Sequence, residues 1–232
     1  MNGEIDYGNF EDMSIQFGSG SDNITIKGSN PEISYITTGD GDDVVNVEKI
    51  DSETTIKLQA GNDVINVSNK NQKVDEIASV LIVSGGLGED NLNVDDSGDT
   101  EDNTATIYDT LITGLGMNGE IDYGNFENLN IGMGSGSDIL SIESTHQQNT
   151  NINTGIGSDI VNVENISGET KINLGIDDDI SNIGDFNQKM DNINSILNIS
   201  GDSGNDILNI DDYRDTQNNT AIVKRNQITG FG

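Results

Sequence analysis

The chain has 232 residues, of which 41 are acidic and 10 are basic, so its formal net charge is −31. Such a chain repels nucleic acid, which excludes nucleic acid as a partner, and its self-repulsion opposes compaction unless cations neutralise it. It contains no cysteine and therefore no disulfide or thiolate metal site. Because no apolar stretch approaches the roughly 18 residues that span a bilayer, we expect no direct membrane insertion.

Short runs of alternating aliphatic residues predict β-strands despite the polar composition. Residues 45–47, 92–94 and 208–210 are examples, each with asparagine between two aliphatic residues. Alternation with a period of two is typical of a strand with one buried face. Since only 32% of the residues are hydrophobic, disorder is the alternative where no cation is present. We therefore expect an all-β fold that depends on a cation.

The chain consists of two tandem copies of one unit. Residues 1–10 and 117–126 both read MNGEIDYGNF, and sliding one half onto the other by 116 positions needs no gap. We divide the chain into repeat unit 1, residues 1–116, and repeat unit 2, residues 117–232. Internal repetition of this kind indicates a repeat architecture. Residues 229–232 followed by residues 1 and 2 would restore a turn signal found inside the chain, which suggests a longer array or end-to-end stacking.

A turn signal of the form Thr-Gly-x-Gly-x-Asp recurs inside each unit. It is complete at residues 38–43 and 154–159. Successive turns are mostly 20 or 21 residues apart, with longer steps of 27 and 28 residues, which predicts about five coils per 116-residue repeat. In chain order, the turns of unit 1 end at Asp22, Asp43, Asp63 and Asp90, a fifth turn that ends at Asn118 spans the boundary between the units, and the turns of unit 2 end at Asp138, Asp159, Asp179 and Asp206.

Two short aliphatic strands separate successive turns. A coil of two strands and two turns at near-constant length predicts an all-β parallel β-solenoid, similar to a β-helix or β-roll, with coils about 4.8 Å apart. The longer coils place their extra residues in polar loops. We expect one continuous solenoid without caps. In unit 2 the predicted strands are 139–142, 151–153, 160–163, 171–174 and 207–210, and the loops are 186–195 and 211–219, matching 69–79 and 95–103 in unit 1.

Glycine and aspartate at this spacing are suited to binding a metal ion. Alternate glycines let the backbone bring carbonyl oxygens to a common point, and the following aspartate adds a carboxylate. Stacked turns would offer about six oxygens to an ion between two coils, which suits Ca²⁺ better than Mg²⁺. The candidate ligands of several Ca²⁺ ions are the eight turn aspartates named above together with Gly18, Gly20, Gly39, Gly41, Gly61, Gly86, Gly88, Gly134, Gly136, Gly155, Gly157 and Gly204.

One turn carries the complete consensus of a known repeat. Residues 85–93, GGLGEDNLN, match the G-G-x-G-x-D-x-U-x nonapeptide of the repeats-in-toxin (RTX) proteins at every defined position. The other turns lack the first glycine, and the match weakens further at 59–63 and 175–179. The chain thus resembles the RTX family, which implies a Ca²⁺-loaded parallel β-roll or β-helix that is secreted and folds outside the cell. RTX nonapeptides usually follow one another directly, whereas here only alternate turns carry the motif, so we expect the calcium ligands along one edge of the rod.

Two further features have structural interpretations. Tyr123 and Phe126 are expected to form a local packing cluster. Asparagines between paired aliphatic residues are expected to lie on the outer face as a stacked amide ladder, with a glycan-binding face as the alternative role. The ladder candidates are Asn46, Asn66, Asn93, Asn162, Asn198 and Asn209.

These features favour a non-enzymatic structural protein. Every charged feature is repeated, whereas a catalytic site is singular, and basic residues are sparse. We expect a Ca²⁺-stabilised extracellular rod, a segment of a large cell-surface protein, adhesin or filament, that folds on calcium binding after secretion. Self-assembly into a fibre or surface layer by end-to-end stacking is the first alternative, and a glycan-binding module is the second. The expected partners are therefore adjacent copies of the same repeat, and cell-surface glycans in addition.

Overall fold

The computed structural model describes residues 5–29 and 33–230, and this part of the chain is all-β. It contains 21 strands and no helix, and so no helix that could cross a membrane. The predicted parallel β-solenoid is confirmed. The turn signal that residues 229–232 and residues 1 and 2 would restore falls partly on residues outside the described ranges. The strands are β1 (Asp12–Gln16), β2 (Asn23–Lys27), β3 (Ile33–Thr37), β4 (Val44–Lys49), β5 (Thr54–Ala60), β6 (Val64–Val67), β7 (Val80–Leu87), β8 (Asn91–Asp95), β9 (Thr104–Ile107), β10 (Leu111–Gly114), β11 (Glu120–Gly124), β12 (Asn128–Gly132), β13 (Ile139–Ile142), β14 (Asn149–Asn153), β15 (Ile160–Val163), β16 (Thr170–Asn173), β17 (Ile180–Ile183), β18 (Leu197–Ser200), β19 (Ile207–Ile210), β20 (Ile222–Lys224) and β21 (Gln227–Thr229).

Most strands belong to two sheets. Sheet A has 11 strands in the order β1-β3-β5-β7-β11-β10-β9-β13-β15-β17-β19, and sheet B has 8 strands in the order β18-β16-β14-β12-β8-β6-β4-β2. Neighbouring strands are parallel, except that β10 is antiparallel to both β9 and β11. Strands β20 and β21 form a separate antiparallel hairpin. The regular coils therefore contribute one strand to each sheet.

The core is made by alternate residues of the strands in both sheets. Val45 and Val47 of β4 are fully buried, while Asn46 between them is partly exposed. Parallel pairing in register places like residues next to one another, so that Val45 lies beside Ile65 and Ile65 beside Leu92. The buried residues of the two sheets form one continuous hydrophobic cluster.

The two repeat units use the sheets in opposite order. In unit 1 the strand before each Gly/Asp turn lies in sheet A and the strand after it in sheet B, as for β3 and β4. In unit 2 the preceding strand lies in sheet B and the following strand in sheet A, as for β14 and β15. The turns of unit 1 thus lie where the chain passes from sheet A to sheet B, which we call the first edge. The turns of unit 2 lie at the second edge, where it passes from sheet B to sheet A. The expectation of a single edge is wrong.

An extra hairpin at the junction between the units causes this exchange. Strands β9 and β10 form an antiparallel pair, and β11 then returns along sheet A between β10 and β7. Because three consecutive strands stay in one sheet, the chain next enters sheet B with β12, which precedes a Gly/Asp turn. The fifth predicted turn, ending at Asn118, therefore joins two antiparallel strands and does not lie in the stacks formed by the other turns.

Both sheets run without interruption across the junction. Strand β11 pairs with β7, and β12 pairs with β8. Tyr123 and Phe126 are buried there, which confirms the predicted packing cluster. The hydroxyl of Tyr123 donates to the carbonyl oxygen of Tyr108 over 2.8 Å, and its ring meets His146 edge-on with centroids 5.9 Å apart.

The predicted amide ladder is also present on the outer faces. Nδ2 of Asn66 donates to Oδ1 of Asn46 over 2.9 Å, and Nδ2 of Asn93 donates to Oδ1 of Asn66 over 2.8 Å. Asn198 differs from its prediction because its neighbour in the register is Lys171. The other ladder members are Asn130 and Asn151 on sheet B and Asn162, Asn182 and Asn209 on sheet A.

Candidate metal sites at the solenoid edges

The Gly/Asp turns stack on one another at both edges. Gly61 has φ +151° and Gly88 has φ +146°, and a β-carbon at Gly61 would overlap the carbonyl oxygen of Gly41, as one at Gly88 would overlap that of Gly61. Glycine is needed there because it adopts these conformations and leaves room for the neighbouring turn. Gly18 and Gly20 belong to the first turn, where the β-carbon position is open. The other predicted glycines, which pack against the backbone of a neighbouring turn or loop, are Gly39, Gly41, Gly86, Gly134, Gly136, Gly155, Gly157 and Gly204.

Three turns that lack one glycine keep the left-handed backbone, and in one of them Asp202 has φ +57° at the first glycine position. Gln59 has φ +78° at the first glycine position of its turn, and Asp177 has φ +88° at the second glycine position of its turn. Residues with a β-carbon rarely adopt such angles. Neighbouring turns hold the latter two residues: Gln59 aligns with Gly86, and the N–H of Asp177 donates to the carbonyl oxygen of Ser203 over 2.9 Å. The weaker sequence matches therefore do not interrupt the stacks.

The turn aspartates of unit 1 form a hydrogen-bonded series at the first edge. The N–H of Asp22 donates to Oδ1 of Asp43, and the N–H of Asp43 donates to Oδ1 of Asp63, both over 2.8 Å. The N–H of Asp63 donates to Oδ1 of Asp90 over 2.8 Å, and the N–H of Asp90 donates to Oε2 of Glu127 over 2.7 Å. Each carboxylate thus binds the backbone of the preceding coil. We call this series the first-edge ladder.

The turn aspartates of unit 2 form an equivalent series, the second-edge ladder. The N–H of Asn103 donates to Oδ1 of Asp138, and the N–H of Asp138 donates to Oδ1 of Asp159, both over 2.8 Å. The N–H of Asp159 donates to Asp179 over 2.8 Å, and the N–H of Asp179 donates to Asp206 over 3.2 Å. The two ladders include all eight predicted aspartates. Glu127 and Asn103 were missed in the sequence, because neither follows a Gly-x-Gly turn.

Both ladders contain carboxylate oxygens that are buried without a partner. Asp43, Asp63, Asp90 and Asp179 have no exposed surface, and Asp159 is 1% exposed. Their Oδ1 atoms accept the N–H groups described above, but the Oδ2 atom of each of these five residues has no hydrogen-bond donor. Burying a charged oxygen in this way is costly unless a cation or a proton compensates it.

Burial also raises the pKa values of ladder carboxyls. It raises the pKa of Asp63 to about 6, with a further contribution from the neighbouring charge of Asp90. It raises the pKa values of Asp159 and Asp179 to about 6 as well. The pKa values of Asp90 and Asp138 are raised for the same reason. The backbone N–H bonds oppose this shift but do not cancel it, so the ladders favour the binding of positive charge.

A second acidic group, missed in the sequence, lies in the long loops of unit 1 at the second edge. Carboxylate oxygens of Asp75, Asp96 and Asp99 lie within 4.8 Å of one another, which happens nowhere else among the described residues for three such groups. Lys73 forms an ion pair with Asp99, and its Nζ atom lies 3.8 Å from Oδ2 of Asp75. Nδ2 of Asn103 donates to Oδ2 of Asp99 over 2.8 Å. We call these five residues the loop cluster.

The electrostatics of the loop cluster differ from those of the ladders. Burial raises the pKa of Asp96 to about 7. Burial also acts to raise the pKa of Asp99, but hydrogen bonds from Lys73 and Asn103 outweigh it and lower that pKa to about 2. The hydrogen bond to Asp99 in turn raises the pKa of Lys73. The loop cluster therefore contains a cation of its own.

The same residues recur in unit 2. Nδ2 of Asn219 donates to Oδ2 of Asp215 over 2.6 Å and to Oδ2 of Asp212 over 3.0 Å, and Lys189 lies 3.7 Å from Asp191. The spacing of two aspartates and an asparagine in this loop is identical in both units. That spacing is the signal in the sequence from which the loop cluster could have been found.

Neither protein-family models nor curated proteins match this chain by sequence. The resemblance to RTX repeats therefore rests on the turn motif.

The donor set of the ladders fits a hard cation. It consists of oxygen atoms alone. Each of the five central turns of the two ladders has one buried carboxylate oxygen without a hydrogen-bond donor. Ca²⁺ prefers carboxylate and carbonyl oxygens and tolerates irregular coordination, whereas Mg²⁺ requires a stricter octahedron. The residues that would hold such ions through Oδ2 are Asp43, Asp63 and Asp90 at the first edge and Asp159 and Asp179 at the second edge.

Proposed function

We propose that this chain is a non-enzymatic, Ca²⁺-stabilised structural rod of the extracellular space, a repeat segment of a large surface protein or filament. Calcium would supply the positive charge that the ladder aspartates lack, so that metal binding and folding are coupled. The repeated coils would then provide length and stiffness between the parts of a larger assembly.

The observation that carries this proposal is the set of five buried, unpartnered Oδ2 atoms in the two ladders. A net charge of −31 in a chain with only 10 basic residues leaves few internal counter-ions. Three of the five carboxyls, Asp63, Asp159 and Asp179, have pKa values of about 6. At neutral pH these carboxyls are therefore largely ionised, which leaves a buried negative charge for a cation to compensate.

The proposed extracellular location agrees with the affinity that calcium sites have in extracellular modules. Ca²⁺ sites in extracellular modules typically bind at about 10⁻⁴ to 10⁻³ M. Sites in this range would stay empty at the low free calcium of a cytoplasm and fill after export. The RTX-like turn motif supports the same conclusion, because the resemblance implies secretion.

Circular dichroism of the purified chain at pH 7.5 tests the coupling of folding to calcium. We expect strand signal with about 1 mM Ca²⁺, its loss in excess chelator and its return when calcium is added back. Mg²⁺ at the same concentration is the control, and we expect it to restore less structure. Equal strand content with and without chelator would refute the coupling.

Assembly into a fibre is the alternative function, and the exposed apolar residues at the two ends of the rod favour it. Electron microscopy with calcium separates the two functions: single short rods support a spacer, and long uniform fibres support a polymer.

A further inference from the structure

The internal junction shows how one repeat unit docks on another. Strand β11 is inserted between β7, to which it is parallel, and β10, to which it is antiparallel. Next to it, β12 pairs with β8 and β13 pairs with β9. The side chains of Ile121, Tyr123 and Phe126 in this segment are buried in the core, and each residue is 3% exposed or less. The beginning of unit 2 thus completes the end of unit 1.

Residues 5–10 of unit 1 have the same sequence as residues 121–126, but they are not inserted between two strands. Residues 5–11 lie outside any strand. The counterparts of the three buried junction residues are Ile5, Tyr7 and Phe10, which are 87%, 57% and 59% exposed. One segment of sequence is therefore buried at the junction and exposed at the N-terminal end of the rod.

The C-terminal end of the rod presents a matching docking surface, which we call the seat. The hairpin β20–β21, the counterpart of β9–β10, is paired only with itself among the described residues. Leu208 is 54% exposed, whereas its counterpart Leu92 is fully buried beneath unit 2. A cavity of about 1660 Å³ extends from this end along sheet B as far as Asn66, and Ile199, Ile210 and Val223 are among its lining residues. The apolar surface that unit 2 covers at the junction is open here.

We propose that a second copy of this chain docks on this end, with its residues 5–16 inserted as donor strands in the register of the internal junction. Its residues 5–8 would lie between β18 and β21, its β1 beside β19 and its β2 beside β20. The proposal rests on the proposed calcium-stabilised rod, because the folded coils form the seat. The partner is a second copy because the internal junction is made by this same sequence, shifted by 116 residues.

Both ladders continue across this interface. Two ladder hydrogen bonds cross the internal junction, one at each edge. Asp206 and Asn219 of one copy occupy the positions of the two donors, and Glu11 and Asp22 of the next copy occupy the positions of the two acceptors. The polar contacts thus select the same register as the apolar ones. Because two chains of net charge −31 repel each other, docking requires calcium or salt to screen them.

Disulfide trapping tests the register directly, since the chain has no cysteine of its own. Asn93 aligns with Asn130 at the internal junction, so Ser14 of one copy should align with Asn209 of another, and both side chains are exposed in the single chain. Mixing Ser14→Cys and Asn209→Cys variants in calcium under mild oxidation should give a mixed disulfide identified by mass spectrometry. Aligned residues of neighbouring parallel strands lie about 4.8 Å apart, within the range of a disulfide.

A shifted pair is the matched control. Gln16→Cys lies two residues further along β1, which places it about 8 Å from residue 209 and beyond the reach of a disulfide. We expect it to cross-link with Asn209→Cys at least about tenfold more slowly. Equal rates for the two pairs, or no mixed disulfide in either, would overturn the proposed docking.

Sedimentation of the full chain in calcium provides a second readout. Tyr7→Asp replaces a side chain that is exposed in the single chain and buried in the proposed complex, so we expect association to weaken about 10- to 100-fold. Phe186→Asp is the control, because Phe186 is exposed and its counterpart Lys70 stays exposed at the internal junction. If both variants associate like the parent chain, the proposal is wrong.

The two proposals can fail separately. Each variant is also examined by circular dichroism with calcium and with chelator, and a calcium-dependent strand signal shows an intact rod. A rod that folds with calcium but gives no register-specific disulfide refutes the docking alone. A chain whose strand content does not depend on calcium refutes the coupled folding, whatever its association.

Discussion

The ladders and the loop cluster are two different solutions to the burial of carboxylates in one rod. In the first-edge ladder, Asp43, Asp63 and Asp90 each accept one backbone N–H and keep one buried oxygen without a partner. In the loop cluster, Asp99 receives both an ion pair from Lys73 and a hydrogen bond from Asn103. The difference teaches that an internal counter-ion serves the irregular loop cluster, while the buried Oδ2 atoms of the repeated corners have no hydrogen-bond donor among the described residues.

The largest effect is expected when the first-edge ladder loses its charge. The triple variant Asp43→Asn, Asp63→Asn and Asp90→Asn keeps the Oδ1 acceptors but removes three buried charges. We expect the metal-free chain at pH 7.5 to become more stable by about 1–3 kcal/mol or more. Because ligand charge sets affinity, the calcium concentration at the folding midpoint of the remaining transition should rise at least about tenfold. The strand signal in chelator, followed by circular dichroism, reports the first effect, and calcium titrations of the same signal measure the second.

A matched triple variant separates this effect from general charge screening. Asp40→Asn, Asp42→Asn and Glu89→Gln remove the same charge from exposed positions in two of the three turns. We expect a much smaller shift in the calcium midpoint. If the two triple variants respond to calcium alike, the buried oxygens are not the ligands and the comparison with the loop cluster fails.

The next effect in size is the dependence of stability on pH. Asp63, Asp159 and Asp179 have folded-state pKa values of about 6, above the ordinary value of 3.8. Groups with raised pKa values stabilise the fold below pH 3.8, and this contribution is lost as the pH rises through about 6. In chelator, the strand signal in circular dichroism should therefore be stronger at pH 5 than at pH 7.5. Calcium should reduce the difference, because it replaces the protons. An equal or weaker strand signal at pH 5 would contradict the assignment.

Removing the internal cation of the loop cluster should have a smaller, local effect. Lys73→Gln leaves Asp75, Asp96 and Asp99 without their ammonium partner. We expect lower stability in chelator at pH 5 and a partial recovery with calcium, since the loop cluster would then resemble the ladders. Lys70→Gln, at an exposed position in the same loop, is the control. Urea unfolding of both variants, with and without calcium, measures the effect, and equal losses in the two variants would argue against a counter-ion role.

The regular parts of the solenoid could be predicted from the sequence because each is encoded locally. The Gly-x-Gly-x-Asp turns and the alternating aliphatic residues predict corners and strands one coil at a time, and stacking like coils predicts the parallel register. The amide ladder follows from the same reasoning, and Asn66 lies between Asn46 and Asn93 as expected.

The exchange of edges could not be predicted, because it depends on a non-local pairing. Residues 113–118 resemble the other turns, but the chain there reverses and β11 pairs with β10 as well as with β7. Likewise, the sequence identifies Asp63 as a turn residue but not as the acceptor of the Asp43 N–H. That role becomes visible only when two coils are stacked.

The smallest effect is expected at the neutral amide ladder, which carries no charge and provides a reference for the charged ladders. Asn66→Ala removes hydrogen bonds to two neighbours and should lower the free energy of unfolding by about 0.5–1.5 kcal/mol. The loss should be the same in calcium at pH 7.5 and in chelator at pH 5, because no ion takes part. Asn198→Ala, beside Lys171 rather than another asparagine, should cost less. A calcium-dependent loss at Asn66 would show that the outer face and the corners respond to metal together, and the contrast between neutral and charged ladders would no longer support the proposed role of calcium.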